Sequence, residues 1–525
     1  MNKLIISLIA SSALWSTLTV SAQEQKKDRG NVHGGIESNA TLYKKDESNP
    51  DIKNYGNNTY LNLKYDYKNF GAGLQYEIFE PPLRGYPEDL KGNGLVQYYL
   101  GYSNEKLSVI AGSFYEQFGS GLIFRAFEER SLGINNSLRG FNVKYTPTDW
   151  LQLKVMGGQP RRYITYADAI IGGGDADVTI SRLWEKEGKY DVTIGGAWVT
   201  KKNTKNIPES VDPDMMHLYS ARAGFSAGGF NLGAEYTVKG MGQSFSPYAH
   251  KFLKESGTAL LFNLDYIRTD FGISGTFRRI EHMDFRIDNK LQEIYVPMNY
   301  IPALTKQHKY ALPSLYPHQT NSSGEIGGQV DMYYNLTADW IGKYPLKVAL
   351  NMSYYNSLGR NPMETMPFFG REGEKNFSEV SIELGKRFSR AIQVNAGLHF
   401  QDIIHNAQMH KSFAQVLDVL WKVNKKASLR TELQHMKTEM DEKGWIYGLV
   451  EFGFAPHFTL YGSDMYSYAA ENKEHYYSVG ASFTYKSFRL MTSYGRSRAG
   501  VQCVGGICRY VPEYTGLTAN LSYVF

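Results

Sequence analysis

Apolar and polar side chains alternate in segment after segment of this chain, and no other feature restricts its fold as much. "TYLNLKYDY" puts Leu61, Leu63, Tyr65 and Tyr67 on one face. "IQVNAGLHF" sorts Ile392, Val394, Ala396, Leu398 and Phe400 from Gln393, Asn395, Gly397 and His399. "YYSVGASFTY" sorts Tyr477, Val479, Ala481, Phe483 and Tyr485 from Ser478, Gly480, Ser482 and Thr484. A period of two is the period of a strand, because successive side chains leave the backbone on opposite sides. The final "LTANLSYVF" keeps the pattern to its last residue, with Leu517, Ala519, Leu521, Tyr523 and Phe525 together. In a soluble sandwich the greasy face turns inward, and a free edge is blunted by charge or proline. A closed membrane barrel has no free edge; its apolar face meets lipid and its small polar face lines the lumen.

The connections alternate as well. Tight ones fall at 68–70, 104–106, 147–149, 227–229, 269–270, 389–391, 455–457 and 486–487. Longer ones fall at 80–94, 203–216, 243–257, 287–324, 360–376 and 499–513. Short periplasmic turns and long extracellular loops are the outer-membrane arrangement. The expected fold is therefore all-β: a transmembrane antiparallel up-and-down barrel of about 24 strands, within a range of about 22–26, with no separate plug domain. The first strand, Val32 to Tyr43, should pair with the last, Leu517 to Phe525, and close the wall. A last strand ending on Leu521, Tyr523 and Phe525 also looks like the signal read by the bacterial barrel assembly machinery.

The N-terminus suits that compartment. Residues 1–22 combine one Lys, a short apolar stretch and the small-residue site Val20-Ser21-Ala22, the layout of a signal peptide. Residues 23–31 are read as a short periplasmic segment and 32–525 as the barrel. No later stretch holds the ~18–20 consecutive apolar residues that a membrane helix needs. Mean hydropathy is −0.40, yet the chain holds 39 Tyr, 27 Phe and 51 Gly. That combination fits strands that are apolar only on alternate residues, with Tyr-rich girdles at the interfaces. A net charge of +5 is too mild to argue for nucleic acid. The two cysteines, Cys503 and Cys508, are expected to form a disulfide, because exported proteins meet oxidising conditions.

A barrel this wide is a large hole. No stretch of domain length is left over to plug it. The lumen must then be filled by inward-folded loops, by a flattened cross-section or by another protein. Two segments are candidates. In "FYEQFGSGLIFRAFEERSLGINNSLRG", Phe114 to Gly140, the charges Arg125, Glu128, Glu129 and Arg130 interleave with Leu122, Ile123, Phe124 and Phe127. It either folds inward or forms two ordinary strands with a surface loop. "YIPALTKQHKYALPSLYPHQTN", Tyr300 to Asn321, is read as a lid or partner-docking loop, with Tyr300, Pro302, Lys306, His308, Tyr310 and Tyr316 as its candidate contacts.

These two stretches, together with the early "VHGGIESNATLY", resemble a family of Bacteroidota outer-membrane barrel proteins of unassigned biochemical function. The resemblance runs over most of the mature chain. It implies the fold, the outer membrane and a Bacteroidota source, and it carries no catalytic residues.

No catalytic set with a defining spacing is recognised: no GxSxG elbow and no HExxH. No enzyme activity, cofactor or metal is expected. His405 and His410 beside Met409 suggest a soft metal site or a polar loop; "GGGDADV", Gly172 to Val178, suggests a turn able to hold a cation weakly. Arg182, Arg278, Arg430, Glu383, Glu432 and Glu451 are expected to face the lumen. Their mixed signs argue against strong ion selectivity. Arg161-Arg162 and Arg278-Arg279 could form a basic rim. Two functions remain open: a gated conduit for solute or polypeptide, and a non-conducting scaffold in an assembly or secretion complex. The expected partners are outer-membrane lipid and lipopolysaccharide, the barrel assembly machinery, and a protein that occludes the lumen or docks on the loops.

Overall fold

The computed structural model describes residues 29–45, 53–184, 188–205, 213–246, 251–287, 297–358, 373–405, 407–440, 443–471, 473–504 and 507–525. Residues 1–28, which include the expected signal peptide, lie outside these, as does most of the 360–376 loop. The wall is a closed antiparallel barrel of 24 strands. They are β1 Asn31–Tyr43, β2 Tyr55–Tyr67, β3 Phe70–Phe79, β4 Gly92–Ser103, β5 Leu107–Phe114, β6 Leu138–Thr148, β7 Leu151–Arg162 and β8 Ala169–Thr179. The wall continues with β9 Tyr190–Asn203, β10 Met215–Ala227, β11 Phe230–Ser246, β12 Lys251–Ile267, β13 Phe271–Glu281, β14 Gly324–Leu336, β15 Leu346–Ser357 and β16 Lys375–Arg387. It ends with β17 Ile392–His405, β18 Gln408–Lys422, β19 Ala427–Thr438, β20 Gly444–Phe454, β21 Phe458–Ser467, β22 His475–Tyr485, β23 Phe488–Ser497 and β24 Tyr514–Val524.

Each strand pairs with its sequence neighbours, and β1 pairs with β24 from Gly35↔Val524 to Tyr43↔Gly516. Phe525 completes the seam: its N–H donates to Gly34 O, and Gly34 N–H donates back to Phe525 O, both at 3.0 Å. The last strand is therefore paired along both of its edges, with β23 on one side and β1 on the other, as a barrel requires.

Polarity is inverted relative to a soluble core. Leu100, Val479 and Leu433 are 69%, 64% and 58% exposed. Glu325, Lys239 and Arg278, by contrast, are fully buried. On β19 the alternation is plain: Glu432, Gln434 and Met436 point in, while Thr431 and Leu433 point out. The greasy set picked out in "IQVNAGLHF" is the outward set, and His399 between its members is buried.

One end of the barrel carries mostly tight connections of two to four residues; 180–189 and 337–345, each with a 3₁₀ turn, are longer. Left-handed backbone at Lys68, Gly228 and Lys486 lets three of the tight turns reverse. The connections 80–91, 115–137, 282–323 and 498–513 all leave from the other end. Two expectations about connections are corrected. β11 and β12 stay paired out to Ser246↔Lys251, so the 243–257 loop is much shorter than read. Gly172 to Val178 is not a turn but the middle of β8, where Asp175 is tied to Arg222 and Lys154 and is not free to hold a cation.

Candidate functional site

The interior is crossed by two segments that enter from the long-connection end, 115–137 and, in its described parts, 282–287 with 297–323. The first is far too apolar to remain in water: Phe118, Leu122, Ile123 and Phe124 are completely buried. Phe118, Ile123 and Phe124 pack on Met156, Ile171, Val199 and Leu218, the inward side chains of β7 to β10. Leu122 reaches the other way, to Ala259, Leu261 and Ile280 of β12 and β13. Gly119 sits at φ 53°, and an added Cβ would lie 2.6 Å from Glu235 Oε1 on β11. Glycine is needed there for both reasons. It lets Ser120 N–H donate to the Glu235 carboxylate at 2.8 Å.

The polar residues of this segment bind across the lumen. Arg130 pairs with Glu37 of β1 at 2.7 Å and with Glu128 at 3.2 Å. Burial opposes the Arg130 charge, but the two carboxylates outweigh it and raise its pKa above the usual arginine range. Glu128 accepts from Gln75 of β3 at 2.9 Å. Glu129 accepts from the Ser131 hydroxyl at 2.6 Å. Arg125 lies over the Tyr300 ring, 4.1 Å from its centroid. Glu116 takes Lys154 of β7 at 3.0 Å.

Tyr300, Pro302, Lys306, His308, Tyr310 and Tyr316 lie on a loop that turns inward instead of standing outside as a lid or docking surface. Lys306 pairs with Glu383 at 3.1 Å, and His308 with Glu379 at 2.5 Å, both on β16. Tyr310 donates to Asp418 of β18 at 3.3 Å. Burial first, and then the Asp418 carboxylate, raise the Tyr310 pKa and keep the phenol protonated. Tyr316 O accepts from Gln401 of β17 at 2.9 Å, and its ring joins Leu312, Met436 and Trp445 in a buried cluster. Pro302 is half-buried. The tyrosines and leucines that make this loop look sticky are used against the inner wall.

The two segments are stitched to each other. Arg125 N–H donates to Met298 O and Tyr300 N–H to Gly121 O. Buried Asn136 donates to Pro297 O, and buried Asn299 donates to Leu122 O and Met283 O. Sequence reasoning missed both asparagines, because a single Asn has no periodicity. It also missed the bidentate pair of Arg161 with Glu77, both about 1% exposed. Arg161 is accordingly no rim residue. Arg278 is fully buried against Glu325, and Arg279 pairs with Glu281. Arg430 bridges Asp418 and Glu432, so the lumen charges come largely in opposite-sign sets.

A third inward element is the hairpin 500–511, whose Cys503 and Cys508 form a disulfide. Its Arg509 lies 3.9 Å from the centroid of Tyr86 and donates to Ser131 O. Two cavities remain beside it. One of about 540 Å³ lies against inward residues of β1 and β24, including Asn39, Thr41, Thr518 and Asn520. The other, of about 950 Å³, lies between Tyr316–Ser323 and β17. Both are bordered by Leu315 and Arg498–Val501.

His405 and His410 have ring centroids 6.1 Å apart, and His410 Nδ1 is 3.1 Å from Glu439 O. Gly224-Phe225-Ser226-Ala227-Gly228 does carry GxSxG spacing, contrary to the sequence reading. It lies where β10 turns tightly into β11, with Ser226 paired to Asn231 in the ladder, and so lacks the strand–turn–helix geometry of a nucleophile elbow. Leu521, Tyr523 and Phe525 end the last strand, with Phe525 about half exposed.

Solved structures of similar architecture share little sequence with this chain. The copper transporter OprC aligns at 7% identity and a TM-score of 0.42, over 96% of this chain and 81% of that one. The translocation pore of the P pilus usher PapC aligns at 10% and 0.45, over 94% and 99%. A BenF-like porin from Pseudomonas fluorescens Pf-5 aligns at 8% and 0.36, over 95% and 99%. No curated protein matches. The model of DUF6029, a family of unknown function, matches residues 1–525.

Proposed function

The chain belongs to the DUF6029 family, which has no activity to hand down, and we propose that it is an outer-membrane conduit for solute or polypeptide, gated by its own inward segments. The observation that carries this is the pairing of a closed 24-strand wall with a filling of loop segments entering from one end. A wall of that size encloses a channel unless something fills it. Here the filling consists of loops tethered at both ends, which can rearrange without leaving the barrel. The cavities beside hairpin 500–511 mark where a passage would begin to widen.

An outward face rich in Leu, Val and aromatic residues needs apolar surroundings, which supports lipid and lipopolysaccharide as its environment. Leu521, Tyr523 and Phe525 are proposed to be read by the barrel assembly machinery, and the source is proposed to be a Bacteroidota outer membrane. Nucleic acid is not among the proposed partners.

A second reading is a non-conducting scaffold in an assembly or secretion complex, with a protein partner on its loops. The contacts His308–Glu379 and Lys306–Glu383 favour it, because they join the inward loop to the wall and separating such largely buried partners is costly. One preparation tests both readings. Tagged protein is extracted in gentle detergent, its companions are identified by mass spectrometry, and the purified barrel is placed in liposomes loaded with small solutes. The conduit predicts a barrel without stoichiometric companions and measurable solute efflux. A stoichiometric partner together with sealed liposomes would overturn it in favour of the scaffold.

A further inference from the structure

Where the inward loop passes β16 and β17, two histidines and a glutamate converge. His308 comes from the loop, Glu379 from β16 and His399 from β17; one donor atom of each lies within 4.8 Å of the others. Among the described residues this is the one such group of three. Side-chain exposure is 6% for His308 and 2% for Glu379, and His399 is 3% exposed. The two imidazoles meet edge to face, with centroids 4.9 Å apart.

The hydrogen bonds around the group decide which nitrogens carry protons. Ser381 Oγ donates to Glu379 Oε1 at 2.7 Å. With its single proton spent there, the hydroxyl accepts from His399 Nδ1–H at 2.9 Å. His399 Nε2 is then a bare lone pair, and it has no partner. Glu379 Oε1 likewise takes His308 Nε2–H at 2.5 Å, and His308 Nδ1, a lone pair in the neutral ring, has no partner. Buried acceptors without donors are destabilising. Gly397 preserves the space at one of them, since a Cβ there would lie 2.8 Å from His399 Nε2. The neighbouring Lys306 is held by Glu383 at 3.1 Å, so its charge is compensated.

We propose that His308, Glu379 and His399 bind a divalent transition-metal ion of the Zn²⁺ type and so fasten the inward loop to the wall. Two neutral imidazoles and one carboxylate are the donors that such ions prefer, with a further position left for water. Ca²⁺ and Mg²⁺ favour all-oxygen sets and fit poorly. Ser381 serves as the outer partner that fixes the His399 tautomer. One ligand sits on the loop and two on the wall, so the ion adds a second link to the wall beside the His308–Glu379 contact.

The test uses full-length protein in detergent, stripped with chelator and then titrated with Zn²⁺, with Co²⁺ as a spectroscopic probe. Retained metal is measured after desalting. The expected result is one equivalent retained, with visible Co²⁺ bands of nitrogen–oxygen coordination. His399→Ala and His308→Ala should abolish retention. Ser381→Ala, which keeps every donor, should weaken it about 10–100-fold. The His405→Ala/His410→Ala variant should leave it unchanged. Heat-modifiable gel mobility verifies that each variant is a folded barrel. No retained equivalent in the wild type, or equal retention by folded His308→Ala/His399→Ala protein, would overturn the site and leave His308–Glu379 as a plain hydrogen bond.

Discussion

Arg161 and Glu77 face each other inside the barrel, both nearly inaccessible, through two parallel N–H···O contacts. Neither charge has water to return to if the other is removed. Glu77→Ala should therefore destabilise the barrel by about 3–5 kcal/mol, with Glu77→Gln/Arg161→Met recovering most of the loss. Urea unfolding followed by tryptophan fluorescence would measure both; equal stability of wild type and Glu77→Ala would contradict the pairing. Little of this was legible beforehand. Glu77 and Arg161 are 84 residues apart, and Arg161-Arg162 in isolation reads as a basic rim. Which charge meets which depends on the register of strands far apart in sequence, which local patterning does not encode. The lumen set was clearer, because Arg430 and Glu432 sit in phase on one face of an alternating strand.

At the scale of elements, strands were far more legible than connections. Lipid on one side and lumen on the other enforce alternation along each strand, as in β17 and β22. No such rule governs the connections. Gly119 and Gly121 interrupt regular pairing in 115–137 without fixing the direction in which the chain then folds. It is set by Glu235 and by the apolar wall of β7 to β10, all distant in sequence. The loop from Tyr300 to Tyr316 misled for a related reason: sticky side chains serve an inner wall as well as they serve a partner. Asn136 and Asn299 hold these segments together, and each Asn→Ala should leave buried carbonyls unsatisfied, at about 1–3 kcal/mol. The loss should be local. Hydrogen exchange should quicken in 115–137 and 297–304 while the strands stay protected; uniform quickening across the wall would contradict a separable seam.

For the whole molecule, the inside-out distribution of polarity is the governing fact. Leu433 and Gln434 are adjacent on β19, one 58% exposed and one 1% exposed. Leu433→Arg should cost about 2–4 kcal/mol in a bilayer if its position is near mid-depth. It should lower the yield of heat-modifiable barrel in membranes, and a yield equal to wild type would argue that this face does not meet lipid. The wall is wide and segments of the same chain fill it, and on the proposed reading those segments keep a conducting barrel closed. Planar-bilayer conductance, with and without residues 119–137 replaced by a short Gly-Ser linker, tests it most directly. Full-length protein should show little steady current, with brief openings at most, and the replacement variant should show a large, lasting pore. A steady, wide pore from the full-length protein, or a folded variant that stays just as closed, would contradict it.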